Sequence, residues 1–346
     1  MNYLVKMTPL EPYAFGTDKT AAYAGADITG KSTYFVRSKD VPEQTTILGM
    51  LRYIILEEQG LLKSDYSYTP QEKELMRKCI GPSSFQFTST EKQDFGLIHS
   101  ISPLFLIDGQ DHVYIRNPFH NKDKNSYQPM VMDEAVIETS AGEIRLPANG
   151  EYDAKEGHGA GYYDLADGTV HEDLFQSVMV TGNRKNGRGV NDDDCFFKRE
   201  LKCLKEGFSF AVYVEADNLP SDTIAYMGQK RSAFRVTVRE AEGENLTEKV
   251  ETAFAKGAER WEYALSDLVA EGPVCCSRFS IVEETHLQNL ETVYDEKQHA
   301  RRLRRSRRQY NMIQSGSVFY GECPLNISNE NCRQIGYNYI VRLGGR

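Results

Sequence analysis

No stretch of this sequence approaches the roughly 18 consecutive apolar residues that a membrane-crossing helix requires. Met1 to Phe15 contain one lysine, prolines at 9 and 12, and no apolar run of leader length, so a cytoplasmic, membrane-free protein is expected. Cysteine is sparse: there are seven, with no Cys-x-x-Cys spacing, and the pairs Cys195/Cys203, Cys275/Cys276 and Cys323/Cys332 are irregular. An odd number of thiols in a cytoplasmic chain reads as reduced and mostly buried. The seven histidines fall at no ligand interval beside them, so no metal and no cofactor is expected.

Catalytic signatures are missing as well. The sequence has no nucleophile placed with a base, no paired carboxylates in a recognisable setting and no phosphate loop, which points to a non-catalytic protein. Gly157, Gly159 and Gly161 mimic part of a dinucleotide fingerprint, but no apolar strand precedes them, so they read as a flexible loop. Asp192, Asp193 and Asp194 can hold a divalent ion or form a solvated turn capping the segment that starts at Cys195. His99 lies in an apolar strand pattern and reads as a satisfied core residue. The lone tryptophan, Trp261, is spaced with Phe254 and Leu265 as core.

What is present is a 346-residue chain with 40% hydrophobic residues, enough for two domains with proper cores. Its net charge of -9 argues against a general nucleic-acid binder, yet the charge is unevenly divided. From Lys297 to Arg346 ten basic residues face only Glu322 and Glu330, so this tail is +8 and the remainder is -17. Such asymmetry points to a polyanion or an acidic partner engaging part of the surface.

Tyr3, Val5 and Met7 alternate with Leu4, Lys6 and Thr8 as a first strand, ended by the prolines. Ile47, Leu48, Leu51, Ile54 and Ile55 recur at helical spacing between Thr45 and Gln59, with Thr45 or Thr46 as cap and Gly60 as stop. Strands are expected around Phe85–Phe87 and Leu97–Ile107. A loop-rich insertion with one hairpin follows at about 108–173, and order resumes at Leu174–Val180. Phe208 to Glu215 is a strand, Pro220 to Tyr226 a short helix and Phe234 to Arg239 another strand. Strand, helix, strand, strand, helix, strand is the ferredoxin-like order. The acidic segment Glu240–Glu244 separates this first domain, 1–242, from a smaller α+β domain, 243–346. There Val250, Phe254, Trp261, Leu265 and Leu268 mark a helix. Strands follow near Ser277–Glu283, Ser317–Gly321 and Tyr337–Leu343.

Three basic constellations carry the functional signal. Gly182 to Gly189 places Arg184, Lys185 and Arg188 on a pliable hairpin that can follow phosphates or serve as an exposed turn. Gly228-Gln229-Lys230-Arg231-Ser232 can cradle a phosphate with its amides and two cations, or merely connect two elements. Arg301 to Arg308 holds six arginines in eight residues. If helical, Arg301, Arg304, Arg305 and Arg308 form one stripe, and if extended all six can follow a backbone. Their mutual repulsion calls for an anionic partner, RNA or the acidic surface of another subunit.

Several segments together resemble the third subunit of the CRISPR Cmr complex, a family within the repeat-associated mysterious proteins (RAMPs). They are Met7 to Gly16, Thr45 to Arg52, Ile80 to Phe85, Gly228 to Arg231, Ser315 to Tyr320 and Gly336-Tyr337-Asn338. They span nearly the whole chain in order. One departure is Gly16-Thr17-Asp18, where such sequences often carry Arg-Asp. The resemblance implies two tandem ferredoxin-like (RRM-like) domains, a basic hairpin in the first, and a non-catalytic role in antiviral defence. It implies binding of the 5′ handle of the guide RNA (crRNA), docking of the large polymerase/cyclase-like subunit and of the adjacent backbone RAMP subunit, and indirect contact with target RNA. Thr45 and Arg52 then join the cations above as RNA contacts. The alternative is a metal-independent RAMP endoribonuclease acting on repeat RNA, with His99, Tyr34 and Lys31 as candidates.

Overall fold

The computed structural model describes residues 1–23, 33–65, 67–123, 127–140, 142–148, 150–155, 159–182, 197–229, 231–255, 260–269, 279–288, 290–295, 300–305, 308–321 and 326–344. The fold is mixed α+β and rich in sheet. Its centre is a nine-stranded sheet in which Asn2–Pro9 lies between Ser209–Ala216 and Ser232–Glu240, antiparallel to both. Ser209–Ala216 pairs on its other side with Ile98–Ile101 and Phe105–Ile107.

Leu4 and Val5 point to opposite faces of their strand, and both are fully buried. The sheet is therefore covered on both sides at this strand. Helix α1, Gln44–Glu58, contributes Ile47, Leu51 and Ile54 to the core on the Val5 side. On the Leu4 side lie Leu246 and Val250 of helix α3, Leu246–Ala253, together with Trp261, Tyr263 and Val318. The second half supplies that layer with its own sheet, ordered Phe279–Ile281, Val318–Tyr320, Trp261–Ala264, Ile340–Leu343, all antiparallel.

Among the described residues the helices are α1; α2, Pro70–Ile80; α3, Leu246–Ala253; and α4, Glu330–Gln334. Helix α1 is not capped by threonine as expected: its N-cap is Glu43, with no side-chain cap bond. Its end does follow expectation, with Gly60 at φ 63° and amides of Gly60 and Leu61 returning to Glu57 and Leu56 carbonyls. Helix α2 carries a capping box between Thr69 and Glu72, and it was not anticipated.

Several sequence expectations are corrected. The segment expected as a helix at Pro220–Tyr226 is the edge strand Asp222–Met227, where Ala225 and Met227 turn inward while Ile224 and Tyr226 stay exposed. β-branched and aromatic residues with period-two burial favour this outcome. The helix expected through Leu268 ends at Ala253, and Trp261–Ala264 is a strand buried on both faces, so the apolar residues of two different elements mimicked one helical stripe. Phe85 and Phe87 form no strand but pack edge to face at 4.7 Å. Pro103 lies in the break between the strands Ile98–Ile101 and Phe105–Ile107. Tyr337 precedes the last strand, which begins at Ile340.

The 108–173 segment is more ordered than expected. It holds the anticipated hairpin, Met132–Thr139 with Gly142–Pro147, but Val113–Arg116, Tyr162–Asp164 and Val170–His171 also extend the central sheet. Gly159 and Gly161 are packed, since a Cβ there would fall 1.9 Å from the Phe119 carbonyl oxygen and 2.6 Å from that of His171. Gly157 and Asp192–Asp194 lie outside the described residues. A further sheet, unanticipated, orders Phe175–Gly182, Phe197–Leu204, Thr33–Lys39 and Phe15–Tyr23. Among the described residues Cys79 and Cys332 are buried, Cys203 is partly exposed, and no helix is long and apolar enough to cross a membrane.

Candidate nucleic-acid interface

The segments that carry the sequence signal are scattered along the chain, and four of them converge on one cleft of about 530 Å³. Phe15 and Gly16, Thr45 to Arg52 along α1, Ser84 and Phe85, and the turn at Gly228 and Gln229 line it. The turn is seated by close packing. Gly228 has φ 73°, a Cβ on it would lie 2.5 Å from the Ala14 carbonyl oxygen, and the Gln229 amide donates to that oxygen at 2.8 Å. Beneath it Tyr13, Phe15, Phe210 and Phe234 form an aromatic cluster.

Helix α1 presents its N-terminal turn to the cleft, with Thr45, Thr46 and Gly49 along the wall. Positive helix-dipole charge collects at such a turn. No acidic side chain stands in the first turn, although the cap residue Glu43 is held by Lys39 and accepts from the Tyr337 hydroxyl at 3.0 Å. Gly49 is exposed, and a Cβ there would meet nothing within 4 Å. Arg52 donates to the Ser83 carbonyl at 2.9 Å and lies over the Phe95 ring at 5.3 Å. Burial lowers its guanidinium to about 10, against the opposing pull of Asp94.

The opposite wall was not legible in the sequence. His286, Leu287 and Gln288 of the second half complete it. Strand Glu284–Leu287 is drawn in by Lys39, which donates to Thr285 Oγ1 at 3.1 Å and the His286 carbonyl at 3.2 Å. A four-residue strand that, among the described residues, pairs with Tyr310–Ile313 alone gives little periodicity to detect.

The predicted cations are distributed as follows. Thr45 and Arg52 line the cleft. Arg231, at φ 57°, leaves the same turn but is exposed over the Tyr226 ring at 5.2 Å. Lys230 lies outside the described residues, as do Arg184, Lys185 and Arg188, which belong to the connection between the paired strands Phe175–Gly182 and Phe197–Leu204. The helical stripe proposed for Arg301, Arg304 and Arg305 does not form. Ala300–Arg305 is a strand paired with Leu290–Asp295, setting Arg304 opposite Glu291. Arg308 lies over Tyr310 at 5.4 Å, and Tyr310 contacts Phe87, which meets the cleft residue Phe85.

The two closing motifs hold the halves together instead of facing the cleft. Gly336 packs where a Cβ would sit 2.5 Å from the Ser102 carbonyl oxygen, and Asn338 at φ 61° accepts from the Val269 amide at 2.7 Å. Gly316 lies on Arg116, and the Ser315 amide donates to Asp267 at 2.8 Å. Burial, with Glu43 nearby, raises the Asp267 carboxyl to about 6. Ser315 to Ser317, Arg116, Lys202, Asp40 and Glu283 border a second cavity of about 370 Å³.

His99 is not a core residue: it is exposed and its Nε2 is 2.7 Å from Asp217. It lies on the central sheet, whereas Tyr34 belongs to a strand of the four-stranded sheet and Lys31 falls outside the described residues. Among the described residues no group of three or more His, Cys, Asp or Glu is placed to hold a metal ion.

Residues 28–167 match the family model described as CRISPR-associated protein (Cas_Cmr3). No curated protein matches the chain. Among solved structures, a chain in the cryo-EM structure of the Type III-B Cmr-beta bound to cognate target RNA is similar at 12% identity over 98% of this chain and 96% of its own, with a TM-score of 0.49. A chain in the Csm3-Csm4 subcomplex of the type III-A CRISPR-Cas interference complex is similar at 9% identity over 99% of each, with a TM-score of 0.37. Another, in the Csm1-Csm4 cassette in complex with AMPPNP, is 14% identical over 92% of this chain and 88% of its own, with a TM-score of 0.33. At these values the likeness transfers no residue role.

Proposed function

We propose that this chain, of which residues 28–167 match the Cas_Cmr3 family, is a RAMP-type subunit of a type III-B CRISPR Cmr effector complex and holds the 5′ handle of the crRNA in the cleft between α1, the glycine turn and the strand Glu284–Leu287. The observation that carries this reading is the convergence of four sequence segments, spread from Phe15 to Gln229, on one open groove. One wall is a helix N-terminus and another is a glycine turn pressed onto backbone. Both let a phosphate chain approach closely, and the dipole of the helix favours its negative charge. Arg184, Lys185, Arg188, Lys230 and Arg231 would extend the contact, and Arg301, Arg304, Arg305 and Arg308 would meet RNA or a neighbouring subunit. Remaining surface would dock the large polymerase/cyclase-like subunit and the adjacent backbone RAMP subunit, with target RNA met only indirectly.

We read the two central strand orders as tandem ferredoxin-like domains, 1–242 and 243–346. In each, the first strand lies between the third and the fourth, and the second pairs with the third. The role is non-catalytic and cytoplasmic in this proposal. Cleavage of repeat RNA by the chain alone, lost in His99→Ala, would reverse it.

The direct test is Thr45→Glu in the chain expressed with its genomic neighbours. A glutamate in the first turn suits the helix dipole, so the fold should be unharmed. It places a negative charge where phosphate is proposed to pass. Assemblies should then purify with depleted guide, read as a reduced ratio of 260 to 280 nm absorbance. Full guide occupancy would reject the cleft.

A further inference from the structure

The central sheet is covered unevenly on the face away from α1. Leu4, Ala211, Tyr213, Phe105 and Ile107 are buried there under the second half. Toward the edge formed by Ser232–Glu240 and Asp222–Met227 that cover stops, and Ile224 is 51% and Tyr226 46% exposed. Register places Arg235 directly opposite Ile224, on the same open face, and Thr8 opposite Arg235 on the next strand.

Two cations serve this patch. Arg231 is exposed and lies over the Tyr226 ring at 5.2 Å. Arg235 faces Asp222 at 3.9 Å, with both side chains about three-fifths exposed. So loose an exposed pair is worth little and gives way readily to a phosphate. Farther along the face, Lys6 and Arg239 are held by Asp111, and Arg239 also by Glu244 at 2.7 Å. Those two are occupied, which bounds the available positive charge to the end of the sheet nearest the glycine turn.

The turn joins this patch to the cleft. Gly228 and Gln229 line the cleft on the α1 side, and Arg231 two residues later lies over Tyr226 on the other face. A strand that crosses the turn passes from one face of the sheet to the other without leaving the protein.

We propose that the open edge of the central sheet, Tyr226 with Arg231, Ile224 and Arg235, is a second single-stranded RNA platform that takes the nucleotides emerging from the cleft. An unpaired base stacks on the Arg231–Tyr226 tier against Ile224, and Arg235 takes the adjoining phosphate. Stacking on a ring or a guanidinium tolerates any base, so the platform grips without reading sequence. This inference rests on the cleft as the RNA site and adds a path beyond it.

The test titrates the full chain with a fluorescently labelled single-stranded oligoribonucleotide long enough to span cleft and edge, at several salt concentrations. Parent, Tyr226→Ala, Tyr226→Phe, Arg235→Ala and Thr45→Glu are compared, with melting temperatures confirming that each is folded. Tyr226→Ala should weaken binding at least about fivefold, the lower end for one lost stacked base, while Tyr226→Phe binds as the parent. Arg235→Ala should also weaken binding and flatten the salt dependence by about one phosphate contact. Parent-like affinity in Tyr226→Ala and Arg235→Ala, with binding lost in Thr45→Glu, overturns the platform and leaves the cleft standing. Parent-like affinity in all three overturns both. Unchanged RNA affinity with loss of a co-purifying subunit from the Tyr226→Ala assembly overturns the platform in favour of a protein contact.

Discussion

Gly49 is placed where a helix gains from alanine and a cleft does not. It stands in the interior of α1, exposed, and an added Cβ would touch nothing within 4 Å. Glycine at such a position costs about 0.5–1 kcal/mol relative to alanine, through the backbone freedom it loses on folding. Gly49→Ala should therefore stabilise the free chain by about that amount. Unfolding entropy grows with length, so in a chain of this size the melting temperature should rise by only about 1 °C, and the urea midpoint should rise with it. The open space beside Gly49 belongs to the cleft. If RNA backbone passes there, the new methyl group obstructs it, and Gly49→Glu adds charge repulsion of about 1 kcal/mol or more at 4 Å, depending on how far water screens it. Affinity should fall modestly in the first variant and about tenfold in the second, for which about 1.4 kcal/mol suffices. Urea unfolding followed by circular dichroism, with RNA titration at two salt concentrations, measures both quantities. Variants that gain stability and bind RNA like the parent would refute the placement of RNA against α1.

Two further expectations concern the seats of the cleft. Gly228→Ala sets a side chain at φ 73° and presses it toward the Ala14 carbonyl. The left-handed conformation alone costs about 1–2 kcal/mol, so the urea midpoint should fall and the turn should move off Phe15. A variant as stable as the parent would contradict this packing. Asp267→Asn tests the seam between the halves. The Asp267 carboxyl is raised to about 6 from 3.8, foremost by burial and then by Glu43. The folded chain thus holds this proton more firmly than the unfolded one, and the resulting stabilisation, complete below about 3.8, is lost as pH climbs through 6. Asparagine keeps an acceptor for the Ser315 amide without the charge. Its urea midpoint should exceed the parent's at pH 7.5, and the advantage should vanish near pH 4. An equal difference at both pH values would show that Asp267 does not titrate between them.

Much of the central architecture could be read from residue order. The strand at Asn2–Pro9, the body of α1 with its Gly60 stop, and the strands at Ser209–Ala216 and Ser232–Glu240 all carry strong period-two or helical patterns. Patterns failed where tertiary burial overrode them. Trp261–Ala264 is buried on both of its faces, and residues of α3 and this strand fall at helical intervals by coincidence. Asp222–Met227 lies on the sheet edge, where only Ala225 and Met227 report the inner face. The cleft was legible only in pieces. Glycine turns and helix starts were recognised one at a time, but nothing local to Gly228 announces that it rests on Ala14. Nor does anything around His286 reveal that Lys39, nearly 250 residues earlier, draws that strand to the groove.

A sheet whose middle strands are dry on both sides ties the fate of one end of the chain to the other. Leu4 belongs to the first strand, yet the surface that shields it is built from residues after Leu246. During synthesis the early part must wait, with Phe105, Ile107, Ala211 and Tyr213 facing water, until the last hundred residues arrive to close over them. Removing the residues from Leu246 onward would leave that face of the sheet bare to water.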